Sequence, residues 1–136
     1  MRVVLDTNIL ISALIASAGN PAIIYNAWED GKFTLLSCAE HLDELRATFQ
    51  KPRVAELIKP YSAGRLVNQI KRLAEDVGPL PRVKRSPDPN DDFLLAMSEA
   101  GKANYLVTGD KSGLLSLQHH RATRILSAAA FRALLD

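Results

Sequence analysis

The sequence predicts an α/β fold: a single three-layer α/β/α domain with a mainly parallel central sheet. Three observations carry this. Short aliphatic runs, among them Val3-Val4-Leu5, Phe33-Thr34-Leu35-Leu36 and Asn104-Tyr105-Leu106-Val107-Thr108, read as strands buried on both faces. Helical patterns alternate with them, as βαβ units require. The 136 residues, 47% of them hydrophobic, are enough for one core without staples, so one domain over residues 1–136 is expected.

Taken in order, the first strand is followed by a helix over 9–17, ended by Ala18-Gly19-Asn20. Pro21 suits the first turn of a second helix over 21–30, with Gly31 at its C-terminal cap. After the second strand, Ser37 and Glu40 form an S-x-x-E capping box. The helix it opens carries Cys38, Leu42, Leu45 and Phe49 on one stripe, and Pro52 stops it. Two more helical patterns cover 54–59 and 64–76, the second with Leu66, Ile70, Leu73 and Val77 on one face. Four of the seven prolines fall within 78–92, which reads as a loop with a short edge strand at Arg82-Val83-Lys84. A helix over 91–100 ends at Gly101, a strand covers 104–108, and a short helix lies near 114–117. A last strand over 123–126 leads to a terminal helix capped by Ser127.

Composition narrows the function. A single cysteine, Cys38, forbids an internal disulfide and suits a reducing compartment, with the thiol buried and structural. No apolar run is long enough to span a membrane, and the first strand leaves no space for a signal peptide, so a cytoplasmic protein is expected. The net charge of +2, from 17 basic and 15 acidic residues, is not that of a protein binding nucleic acid by charge alone. His41 stands alone and His119 and His120 are adjacent, which is no zinc ligand set and suits surface positions.

The acidic residues hold more information. Asp6 directly follows the first strand and Asp110 lies just beyond the strand over 104–108. Open α/β sheets bind their ligands at strand carboxyl ends, although Asp6 also suits a helix N-cap and Asp110 a Gly-Asp turn. In the run Asp88-Pro89-Asn90-Asp91-Asp92, helical phase referred to Phe93, Ala96, Met97 and Ala100 puts Asp92 about a quarter-turn from the buried face. Asp92 is therefore expected to lean into a cleft and Asp91 to face water. Glu44 flanks the Leu42–Leu45 stripe and is a better inward candidate than Asp43 or Glu40, although a solvated face is the default reading for all three. Two carboxylates about 4 Å apart repel by about 4 kcal/mol at an effective dielectric near 20, so such a cluster needs protons or cations. Hard divalent ions such as Mg²⁺ prefer carboxylate oxygens and keep room for a phosphate.

Val3-Val4-Leu5-Asp6-Thr7-Asn8, then Glu44, Asp92 and Thr108-Gly109-Asp110, in that order over nearly the whole chain, resemble the PIN-domain pattern. The segment Asp88-Pro89-Asn90-Asp91-Asp92-Phe93-Leu94-Leu95-Ala96 is similar to the VapC-like toxin branch of that family. The resemblance implies a metal-dependent endoribonuclease, the toxin component of a type II toxin–antitoxin pair. Asp6, Glu44, Asp92 and Asp110 match the acidic quartet that holds Mg²⁺ or Mn²⁺, with Asp91 as the alternative to its neighbour. Thr7 or Asn8 matches the residue supporting the first aspartate, and Thr108 the one before the last. The resemblance also implies RNA as substrate, an antitoxin partner and a homodimer.

Arg46, Lys51, Arg53, Arg82, Lys84, Arg85 and Lys111 are the candidates to hold an RNA backbone, each taken singly more readily read as solvated surface. The alternative function is a non-catalytic PIN-fold binding module. A phosphotransferase with Asp6 as nucleophile would want a second aspartate two residues on, where this chain has Asn8.

Overall fold

Val3 and Val4 are completely buried and Leu5 is 1% exposed, because helices cover both faces of the strand they form. That strand, β1 (Arg2–Leu5), lies in a six-stranded sheet with β2 (Thr34–Ser37), β3 (Glu75–Asp76), β4 (Tyr105–Val107), β5 (His119–His120) and β6 (Thr123–Leu126). The sheet order is β3-β2-β1-β4-β6-β5, and every pairing is parallel except β5 with β6. Seven helices complete the chain: α1 (Thr7–Ile15), α2 (Asn20–Glu29), α3 (Ala39–Phe49), α4 (Pro52–Ala55), α5 (Pro60–Leu73), α6 (Asp92–Ala100) and α7 (Ala128–Ala133). The computed structural model covers residues 1–136.

The larger core lies on one face, where Leu10, Ile24, Leu66 and Phe131 from α1, α2, α5 and α7 pack on Val3, Leu5 and Leu35. The smaller core, on the other face, joins Leu94, Leu95 and Met97 of α6 to Val4, Leu36 and Leu106. These are the three layers expected. From β1 the chain builds outward through β2 and β3, then crosses to the other side of β1 for β4. The carboxyl ends of β1 and β4 therefore flank the point where strand order reverses, the place where such sheets open a crevice. No single helix is long and apolar enough to cross a membrane.

Local structure departs from expectation in several places. β2 extends through Ser37, whose carbonyl accepts the Val77 amide (2.9 Å), so the cap of α3 shifts by one residue. Cys38 takes it, its sulfur accepting the His41 amide at 3.4 Å, and the Ser37–Glu40 capping box does not form. Instead of running over 64–76, the helix spans α5, started by Pro60 at its first turn. It stops at Leu73 because Glu75 and Asp76 pair with Leu36 and Ser37. The pattern over 54–59 gives only the single turn of α4, since Lys59 already caps α5. Arg82-Val83-Lys84 forms no strand; Leu80 and Val83 pack on the smaller core. Two of the three histidines are not at the surface: His41 is 4% and His120 is 7% exposed.

Candidate active site

Asp6 is the first residue beyond β1 and only 7% exposed. Its amide donates to the Val107 carbonyl at 2.9 Å, which continues the β1–β4 pairing by one residue and fixes Asp6 at the carboxyl edge of the sheet. It occupies the N-cap position of α1, yet its side chain makes no capping hydrogen bond. Oδ2 instead accepts the Thr108 hydroxyl at 2.8 Å. Burial pushes the Asp6 carboxyl above its ordinary range, against the pull of that bond, and the nearby Glu44 charge adds to the rise.

Thr108 joins two acids. Completely buried just past β4, it donates its hydroxyl to Asp6 and accepts the Asp110 amide on the same oxygen at 3.2 Å. Asp110 folds back so that its Oδ1 accepts the Gly113 amide at 3.0 Å. A Cβ at position 113 would land on the Asp110 carboxylate, so only glycine lets that side chain lie where it does. Gly113 was not among the residues expected to matter. Its spacing from Asp110 in Asp-Lys-Ser-Gly is the signal that could have found it, since aspartates bond amides in such turns.

Glu44 comes from α3. Leu45, completely buried, and His41 fix the helix's inward face and leave Glu44 half-buried beside them. The buried Thr7 hydroxyl donates to Glu44 Oε2. Thr7 is thus a supporting residue for Glu44, while the Asn8 side chain is exposed. The His41 ring stands 5.7 Å from that of Phe93 and so packs α3 against α6.

The neighbouring pair on the other side of the crevice reverses the phase expectation. Asp92 does not lean into the cluster: its Oδ1 accepts the amides of Arg85 (3.0 Å) and Ser86 (2.7 Å) and anchors the proline-rich loop. Asp91, half-buried, makes no such loop bonds and lies within reach of the charges of the other acids. Burial and the charges of Asp6, Asp88, Asp110 and Glu44 push its carboxyl up to about 6. Helical phase misled because α6 is buried nearly all round, from Leu94 through Ser98, so no single face marks inward. The turn 89–91 that precedes it is 3-10 and has a different period.

The candidate cations do not form one group. Arg46 pairs with Asp43 at 3.6 Å and opens on a separate groove. Arg85 reaches away to the His119 carbonyl (2.6 Å) and His120 Nδ1 (3.1 Å). Lys51, Arg53, Arg82, Lys84 and Lys111 are exposed, the last directly beside Asp110.

The donor set suits a hard divalent cation. Four carboxyl groups, Asp6, Glu44, Asp91 and Asp110, share one region, and none is paired with a lysine, arginine or histidine. Uncompensated negative charge of this kind is relieved by oxygen-seeking ions. As the side chains stand, no three of them are close enough together to grip one ion, so the fit lies in charge and donor chemistry, not in preformed coordination.

No curated protein matches the sequence. A family model described as PIN domain matches residues 2–112, a span that runs from β1 past Asp110 and takes in every acidic residue of the crevice. With the parallel sheet and the strand-end carboxylates agreeing, the chain belongs to the PIN-domain family.

Proposed function

We propose that this protein is a Mg²⁺- or Mn²⁺-dependent endoribonuclease whose acidic residues are Asp6, Glu44, Asp91 and Asp110. PIN domains are generally nucleases. The observation that carries the reading for this chain is that Thr108 ties two strand-end acids together, donating to Asp6 at 2.8 Å and accepting the Asp110 amide at 3.2 Å, while burial first and then neighbouring carboxylates push Asp91 up to about 6. Divalent ions bound among these residues would supply an activated water and stabilise the leaving oxygen of the phosphodiester.

The chain's own part is positioning. Thr108 aims Asp6, the Gly113 amide aims Asp110, and Thr7 aims Glu44. Asp92, proposed from sequence as a ligand, is reassigned to holding the loop that precedes Asp91. Lys111, exposed and next to Asp110 in the chain, is the cation we assign to a phosphate.

The finer assignment is the toxin component of a type II toxin–antitoxin pair, cytoplasmic, held by a small antitoxin and working as a homodimer. It is supported by the likeness of segment 88–96 to the toxin branch. Cleavage of total RNA in Mg²⁺, with and without a chelator, tests the activity. Wild type should cut only with metal, and Asp6→Asn and Asp91→Asn should cut at least a hundredfold more slowly, about 2.7 kcal/mol of barrier. Equal cutting by Asp91→Asn would remove Asp91 from the set, and no cutting by wild type would remove the activity itself.

A further inference from the structure

Helix α5 contains no acidic residue, and Tyr61, Arg65, Asn68 and Arg72 lie along it at intervals of four, three and four residues. That spacing makes one stripe, roughly 16 Å long at 1.5 Å per residue. The same open face of the helix also carries Pro60, Gly64 and Gln69. Tyr61 is 80% exposed, unusual for so large a ring with no packing role in the fold. Glu29 of α2 borders the stripe beside Tyr61 and Arg65, and its Oε2 accepts the Gln69 amide at 2.9 Å. A groove next to this face, which also takes in Pro60, Gly64 and Asn68, runs on to Arg46, Phe49 and Gln50 at the end of α3.

Gly64 is the second observation. It sits inside α5 with ordinary helical backbone, and a Cβ there would meet nothing within 4 Å. Glycine in a helix interior is unfavourable by about 1 kcal/mol relative to alanine, and nothing in this chain requires it. What its missing side chain does provide is a floor where another molecule approaches the backbone closely.

We infer that this face of α5 is a binding track for single-stranded RNA. Tyr61 stacks on a base, Arg65 and Arg72 hold phosphates, and the shared groove carries the strand on to Arg46 of α3. An exposed ring at one end of a helix stripe, one turn from the first of two guanidinium groups, matches the two components of sequence-tolerant single-strand binding. The inference rests on RNA being the substrate of the acidic site, and it extends that reading to where the strand is held.

The test is fluorescence anisotropy of a labelled oligouridylate, with metal chelated so that nothing is cut, across a series of KCl concentrations. Tyr61→Ala should weaken binding about tenfold. The double variant Arg65→Ala, Arg72→Ala should flatten the logarithmic salt dependence by about 1.4, at roughly 0.7 for each phosphate no longer neutralised. Gly64→Leu should weaken binding while its melting temperature stays level or rises, which separates an occupied groove from a damaged fold. Wild-type affinity and salt slope in all three would overturn the inference, as would binding of polyglutamate with none of RNA, which would assign the face to an acidic protein. The two readings fail separately. If wild type cuts RNA while the α5 variants bind it normally, the track falls and the nuclease stands; if wild type binds through α5 but never cuts, the reverse holds.

Discussion

Replacing Asp91 with asparagine should make the metal-free protein more stable while removing its activity. The folded-state carboxyl titrates near 6 against an ordinary value of 3.8, so between those values the native state binds more protons than the unfolded chain. Stability contributed by the protonated group is present below the lower value and lost as pH climbs through the upper one. The difference corresponds to about 3 kcal/mol at 1.36 kcal/mol per tenfold step, and solvent around a half-exposed side chain reduces it to about 1 kcal/mol. Asp91→Asn, being uncharged, does not lose it. Urea unfolding followed from pH 4 to pH 8 should show the variant equal to wild type at the acid end. By pH 7.5 it should lead by about 1 kcal/mol, or about 4 °C in melting temperature. His41 titrates in the same interval but is common to both proteins and cancels in the difference. Asp92→Ala is the contrasting control: with two loop amides left unanswered, it should lose about 1–3 kcal/mol. A pH-independent gap, or an Asp91→Asn protein less stable than wild type at pH 7.5, would show that Asp91 does not face the other acids.

Adding Mn²⁺ at about a hundred times its Kd should raise wild-type stability by about 2.7 kcal/mol at pH 7.5, and a chelator should reverse it. Asp91→Asn should lose most of that response in the same thermal melts. Thr108→Val strips one hydroxyl from both Asp6 and the Asp110 amide and should cost about 1–3 kcal/mol in urea unfolding, with weaker Mn²⁺ binding by calorimetry. His41 is buried neutral, Nε2 has no partner, and burial lowers its pKa to about 4 from 6.5. Its folded value lies below the unfolded one, so stability is complete above about 6.5 and falls toward pH 4, by about 3 kcal/mol at most. His41→Phe should flatten that acid limb; an unchanged limb would mean that His41 is not the group responsible.

The strands and the residues at their ends were legible from sequence because both are local properties. Uninterrupted aliphatic runs can form only strands or core helices, and their lengths and flanking turns select strands. A parallel sheet then brings Asp6 and Asp110 to one edge whatever the helices do. Ser127 capping α7 was readable for the same reason, its hydroxyl accepting the Ala130 amide three residues on. The two-residue strands β3 and β5 escaped because two residues have no period to read. Asp91 and Asp92 show where local reasoning ends. Adjacent and chemically identical, they were separated by amides six and seven residues earlier in a loop with no periodicity, and α6 had no solvent face to orient them. The sequence by itself determined that carboxylates would gather at the strand ends. Which of them face one another was decided only by tertiary structure, because each carboxylate turns either to backbone donors within reach or to the crevice, and distant segments supply those donors.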